Sequence, residues 1–204
     1  KIIAISNQKG GVGKTTTAIN MSACIAATGR KVLLVDLDPQ GNATTGIGID
    51  KSKLEKNIYD VLLLNEPVAN VVLPTQVENL DVLPCNKDLV GAEIPMSGFA
   101  KREFVLKTAL ESVADRYDYV FIDCPPSLGL LTLNALTACD GVIIPIQSEF
   151  FALEGLSQLI YTIRLVTKHT NPDLKVKGVV MTMYDSRSIL TRQVMFPLLR
   201  CNNS

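Results

Sequence analysis

The sequence has no excess of either charge, since 20 Lys and Arg stand against 20 Asp and Glu. No overall field draws the chain toward nucleic acid or a membrane surface, although a local basic face stays open. It has no run of about 18 apolar residues and so no candidate for a membrane-spanning helix, and its first apolar run leads into a glycine loop rather than a signal-peptide cleavage site. A cytoplasmic protein is the expectation. There is no C-x-x-C pair. The five cysteines (Cys24, Cys85, Cys124, Cys139 and Cys201) are odd in number and widely spaced, so neither a zinc nor a redox site is expected, and most read as small buried apolar residues in a reducing compartment. The one histidine, His169, sits among Lys168, Thr170 and Asn171, where a solvated surface position is the ordinary reading. No repeat, low-complexity tract or linker divides the 204 residues, which are read as a single domain over 1–204.

What is present is an alternation of short apolar runs with helical stretches. Ile2–Ile5, Val32–Val35, Leu80–Leu83, Tyr119–Ile122, Val142–Ile146 and Val176–Met183 are too short for helices, and most are rich in β-branched residues. Runs that are continuous rather than alternating belong to strands buried on both faces, as in a parallel sheet. Leu106, Ala109, Leu110 and Val113 fall at i, i+3, i+4 and i+7, as do Leu156, Leu159, Ile160 and Ile163, and each set makes one apolar helix face. Thr15–Thr28 reads as a helix closed by Gly29, and the irregular stretch from Lys51 to Asn79 holds only a short helix near Ile58–Leu64. The order implies an α/β fold: a doubly wound, mostly parallel sheet with helices on both faces.

Between the first strand and the first helix lies Asn7-Gln8-Lys9-Gly10-Gly11-Val12-Gly13-Lys14-Thr15-Thr16. Glycines let successive backbone N–H groups turn inward, and the helix N-terminus adds partial positive charge, so the segment makes a nest for phosphate. In such a loop Lys14 reaches the β- and γ-phosphates and the Thr15 hydroxyl ligates Mg²⁺. Gln8 occupies the first glycine position of the strict G-x-x-x-x-G-K-[ST] pattern, and an extra lysine, Lys9, precedes Gly10. Asp123 follows one apolar run, where the acidic metal partner of a P-loop NTPase sits, and Asp36 and Asp38 follow another. Carboxylates at strand C-termini face the crevice in which a doubly wound sheet binds its ligands.

With these motifs in hand, the chain resembles the ParA/Soj partition ATPases of the deviant Walker A group. The resemblance rests on Lys9–Thr16, on Val35-Asp36-Leu37-Asp38-Pro39-Gln40-Gly41-Asn42, and on Asp123-Cys124-Pro125-Pro126-Ser127. Ala152–Leu156 and Thr182–Arg187 extend it, and it covers Lys1 to about Val194. It implies a P-loop NTPase fold binding ATP and Mg²⁺ through Lys9, Gly10, Gly11, Val12, Gly13, Lys14, Thr15 and Thr16, with the base near Met183. The same resemblance implies an ATP-dependent homodimer in which Lys9 crosses to the partner's phosphates. Asp38 would orient the attacking water, Asp36 and Asp123 would act as Mg²⁺ partners beside Thr15, and Gly41–Thr45 and Cys124–Leu130 would be the switch segments.

Also implied are non-specific DNA binding through basic residues including Arg187, localisation to the nucleoid when ATP is bound, and a ParB-like centromere-binding protein that stimulates slow hydrolysis. Lys168, Lys175, Lys177, Arg192 and Arg200 are candidates to extend the DNA patch. The alternative is a MinD-like ATPase positioned at a membrane or cell site. That would need a C-terminal amphipathic helix, which the tail Cys201-Asn202-Asn203-Ser204 does not offer. An electron-transfer ATPase similar to nitrogenase iron protein would need cluster cysteines, and Cys124 and Cys139 lack those surroundings; a pure binding module is disfavoured by Asp38. The resemblance fades near Met195, and Pro197 interrupts a helix starting at Ile189. Either the chain lacks the family's C-terminal segment or its end has diverged; if the segment is lacking, the chain is expected to expose the edge of Val176–Met183, to self-associate without ATP, and to discriminate adenine from guanine poorly.

Overall fold

The computed structural model describes residues 1–147 and 152–183, and the side chains of all of these except 152–154. Its strands are β1 (Ile2–Ile5), β2 (Val32–Asp36), β3 (Leu73–Pro74), β4 (Leu80–Leu83), β5 (Tyr119–Asp123), β6 (Gly141–Gln147) and β7 (Lys175–Thr182). The α-helices are α1 (Lys14–Ala26), α2 (Asn42–Gly46), α3 (Ile58–Leu64), α4 (Glu93–Met96), α5 (Val105–Glu111), α6 (Leu130–Ala138) and α7 (Ala152–His169). Among the described residues the strands form one seven-stranded sheet in the order β3-β4-β2-β5-β1-β6-β7. Every pairing is parallel except β3 with β4. β3 is a two-residue edge strand ending in Pro74, a residue that tolerates an edge but would break an interior ladder.

Strand periodicity divides the core into two layers. In β2, Leu33 and Val35 join a core with α3, α5, α6 and α7, whereas Val32 and Leu34 face Ala18, Ala26 and Ala43 of α1 and α2. All five residues of β2 are buried, the state that its continuous apolar run implies. The small alanines let α1 lie close on the sheet, and this fixes where the preceding loop begins.

Among the elements that differ from the sequence-based expectation, α6 and α2 do so for identifiable reasons. α6 carries no apolar stripe because Leu131, Thr132 and Asn134–Ala138 are all buried, and a helix covered on every side loses the 3.6-residue pattern. α2 is only five residues long and follows Gly41, whose φ of 62° starts it, so periodicity has too little chain to act on. β2 and β5 each run one residue further than expected, taking Asp36 and Asp123 into the sheet. Gly29, at φ 83°, closes the turn after α1 as anticipated, and α3 has the expected bounds. Cys85, Cys124 and Cys139 are buried while Cys24 is exposed, and His169 is exposed at the end of α7. No helix among the described residues is long and apolar enough to cross a membrane. β7 pairs only with β6 there, with Val176 and Val180 exposed, and Ile189, Met195 and Pro197 lie outside the described residues.

The buried amide of Asn134 ties α6 to the chain leading into α5. Its Oδ1 accepts from Leu106 N at 3.0 Å, and its Nδ2 donates to the Arg102 and Leu130 carbonyls, each at 2.9 Å. Asn134→Leu keeps the volume but orphans these groups, so urea unfolding should show a loss of roughly 2 kcal/mol or more, because an unsatisfied buried group costs ~1–3 kcal/mol. A stability equal to the parent chain would show that these groups find other partners.

Candidate functional site

β1 lies between β5 and β6, and the chain leaves its C-terminal end through the loop that enters α1. Gly11 and Gly13 have φ of 73° and 84°, where side chains are strained, so both glycines are required by the backbone. No residue caps α1 by side chain, and among the described residues the backbone N–H groups of residues 10–16 reach no protein acceptor at hydrogen-bonding geometry. Backbone donors of this glycine-rich loop stand at a helix N-terminus, an arrangement suited to a polyanion. Gly10 and Gly11 are exposed, Val12 is buried, and Thr16 lies on the outer side, its carbonyl accepting Asn20 Nδ2 at 2.7 Å.

The far strands hold this loop. Thr182 Oγ1, at the end of β7, donates to Val12 O at 2.8 Å, and Gln147 Nε2, at the end of β6, donates to Gly11 O at 2.7 Å. Asn7 bridges inward, its Nδ2 donating to Pro145 O at 2.7 Å and its Oδ1 accepting from Lys9 N at 3.0 Å. A Cβ on Gly13 would come within 3.2 Å of the Thr182 methyl, so tight packing adds to the torsional strain that a larger residue would meet there. Thr182 and Gln147 were not foreseen as site residues, although Thr182 opens one of the segments carrying the family resemblance.

Lys14 is buried and its Nζ donates to the Lys9 carbonyl at 2.9 Å, which folds the amine back over the loop. Burial lowers its pKa, opposed by the nearby Asp123 and Asp38 carboxylates. Parallel pairing of β2 with β5 puts Asp36 opposite Asp123. Asp36 Oδ2 accepts from both N and Oγ1 of Thr44 at 2.7 Å, and its Oδ1 accepts from Asp38 N at 3.3 Å, so Asp36 fastens α2 and the 38–44 loop. Asp38 is buried, and its Oδ1 accepts from Gln40 N at 3.0 Å. Asp123 is fully buried, and neither oxygen has a partner at hydrogen-bonding geometry. Burial pushes the Asp123 carboxyl up to about 7, opposed by the adjacent Thr15 hydroxyl, and pushes Asp36 up to about 6, opposed by its bonds from Thr44.

An orphaned carboxylate beside a hydroxyl fits a divalent cation held partly through water. No group of three or more His, Cys, Asp or Glu arranged for a metal occurs among the described residues. Mg²⁺ does not require one, since it commonly keeps several waters and takes only one or two carboxylates plus phosphate oxygens. Thr15 and Asp123 could hold it, and Asp36, opposite Asp123, has its oxygens engaged by Thr44 and Asp38 N.

Residues 1–176 match the family model described as an AAA domain. The chain is 59% identical over 194 residues to the sporulation initiation inhibitor protein Soj of Bacillus subtilis, covering 95% of this chain and 77% of that protein. It is 55% identical over 194 residues to the chromosome partitioning protein ParA of Myxococcus xanthus, covering 95% of this chain and 69% of that one. The chain belongs to the ParA/Soj family. Its fold also superimposes, with a TM-score of 0.93 at 46% identity, on a structure described as cobyrinic acid a,c-diamide synthase from Mycobacterium smegmatis with bound ATP analog and magnesium, covering 98% of this chain and 82% of that one.

Other residues that the ParA/Soj resemblance singles out are scattered. Met183 is exposed at φ 51° with its sulfur beside Gln147 Nε2, on the rim of the loop. Lys168, Lys175 and Lys177 are exposed and share the end of the domain opposite the phosphate loop, because α7 ends there and β7 starts there. Arg187, Arg192 and Arg200 lie outside the described residues.

The raised carboxyls give a signed pH dependence. Between about pH 4 and 7 the folded protein binds more protons at Asp123 than the unfolded chain, so stability falls as pH rises through that window, and Asp36 acts in the same sense up to about 6. Without nucleotide or metal, Asp123→Asn should flatten the profile and gain stability on the parent toward pH 7.5, at ~1.4 kcal/mol for each tenfold difference in proton affinity that the substitution abolishes. Thermal melts across pH 4.5–7.5 in EDTA check it; parallel profiles would mean that Asp123 is not held in this state.

Proposed function

We propose that this chain is a nucleotide-switched partition ATPase, binding ATP with Mg²⁺, dimerising in that state, holding DNA without sequence preference, and hydrolysing ATP slowly under stimulation by a ParB-like partner. The observation that carries the reading is the set of unpaired loop amides beside the buried, unpartnered Asp123 carboxylate and the inward Lys14. Donors and acceptor are arranged for a triphosphate and its cation, and each is costly to leave unmatched. Bound Mg²⁺ would screen the phosphate charge between Thr15 and Asp123.

The chain's own residues divide the remaining work. The amides of residues 10–16 orient the phosphates, and Lys14 leaves the Lys9 carbonyl to meet the β- and γ-oxygens. Asp38, on a buried loop two residues beyond Asp36, aligns the attacking water. Lys9 reaches a second copy's phosphates, which makes dimerisation depend on the triphosphate. Arg187, with Lys168, Lys175 and Lys177, contributes phosphate contacts to DNA, and Met183 borders the base.

Two variants test the core of this reading. Lys14→Ala should weaken ATP binding by ~1.5–3 kcal/mol in calorimetry, the worth of a charge-assisted contact. Asp38→Ala should bind ATP normally and lose about 100-fold or more in turnover, within the range for a group that handles the attacking nucleophile's proton. Unchanged turnover in Asp38→Ala would remove that residue from the chemistry.

DNA association should appear only with ATP and should be salt-dependent, with log K falling as log salt rises at a slope near −0.9 for each phosphate contact. Arg187→Ala should lower that slope by about one unit. A second reading, ATP-dependent amide synthesis, is prompted by the 46% identity to the structure described as a diamide synthase. ATP turnover that needs an amide donor and ignores DNA would favour it instead.

A further inference from the structure

The helix that follows Asp123 does not cap itself. Gly129 stands at the N-cap of α6 without a side chain, so the first-turn N–H groups need an acceptor from elsewhere. Glu93, in the first turn of α4 and 38 positions earlier, supplies one: its Oε1 accepts from Leu131 N at 2.9 Å. The carboxylate also lies against the positive end of a nine-residue helix, which favours its charge there. Its approach explains residue 129. Gly129 has φ −77° and ψ −169°, a conformation open to any residue, so torsion does not demand glycine. A Cβ at Gly129 would meet the Glu93 carboxylate, 2.9 Å from Oε2 and closer still to Oε1, so a larger residue would displace the end of that side chain.

At its start Cys124 N donates to Ile5 O of β1 at 3.2 Å, and the side-chain ties nearer α6 are short-range or run to the same neighbouring region as Glu93. Thr132 Oγ1 donates to Ser127 O at 2.7 Å, and Asn134 joins Leu130 O to Arg102 O. Residues 124–131 therefore hang between β5, which ends at Asp123, and the 93–106 stretch, with Glu93 holding the first turn of α6. Displacing the first turn of α6 would break the Glu93 bond or carry α4 with it.

We propose that Glu93 is a positioning residue for nucleotide hydrolysis: it fixes the segment between Asp123 and α6 in the arrangement that turnover needs, and Gly129 is glycine to admit its carboxylate. This rests on the ATPase reading above. The experiment compares Glu93→Ala, Glu93→Gln and Gly129→Ala in the whole chain by steady-state MgATP hydrolysis, and by amide hydrogen exchange of the nucleotide-free protein. Glu93→Ala should lower kcat by about tenfold or more, since displacements near 1 Å at a site can cost ~100-fold, while KM stays within about twofold. Exchange should quicken at residues 130–133 and stay unchanged in β1 and β2. Glu93→Gln keeps an acceptor oxygen and should recover most of the rate, and Gly129→Ala should reproduce Glu93→Ala by driving the carboxylate off.

Wild-type kcat in Glu93→Ala would overturn the proposal, as would a Gln variant no better than Ala, or exchange that quickens throughout the protein. If the parent chain itself turns over no ATP, the ATPase reading fails separately. Unaltered exchange at residues 130–133 in Glu93→Ala would overturn the positioning role whatever the parent's activity.

Discussion

Parallel register between β2 and β5 brings Asp36 and Asp123 side by side at the buried end of the sheet, and most of the surrounding structure responds to that placement. Two carboxylates removed from water cannot both stay ionised without partners. Asp36 is satisfied locally: Thr44 gives it two hydrogen bonds, and in doing so draws the 38–44 loop and α2 against the strand end. Asp123 is left with neither oxygen matched. The cation drawn close to it is Lys14, itself buried and engaged with a carbonyl. A site in this condition favours entry of a cation together with polyanion oxygens, since together they match the free amides and the free carboxylate.

The same end of the sheet shows how the loop keeps its shape with its donors open. Three of its carbonyls are tied to the protein: Gly11 O to Gln147, Val12 O to Thr182, Lys9 O to Lys14. Fixing the acceptors of each peptide unit turns the N–H groups toward the space that a ligand would fill. Such preorganisation removes part of the ordering cost from the binding step.

Sequence legibility followed the range of the interactions involved. β1, β4 and α3 were readable to the residue because apolar runs and turn residues mark them locally, and the phosphate loop was readable because glycines at positive φ leave few alternatives. α6 was hidden by its complete burial, which erases the polar face. Asp36 was expected beside Mg²⁺ from its strand-end position alone; its bonds from Thr44 depend on how the 38–44 loop folds back, which no spacing encodes. Thr182, Gln147 and Glu93 act on residues 170, 136 and 38 positions away, and contacts at such separations leave no local pattern.

The bond from Thr182 to Val12 also bears on when this protein becomes competent. A loop closed over 170 residues carries a large entropic debt that only the assembled sheet can offset, and contacts of this separation form late in folding. The phosphate nest is written near the start of the chain, yet its shape is completed by the end of β7. Nascent or partly folded chains would hold the glycines without the geometry. The shape of the nest therefore depends on β6 and β7 having docked, through Gln147 and Thr182.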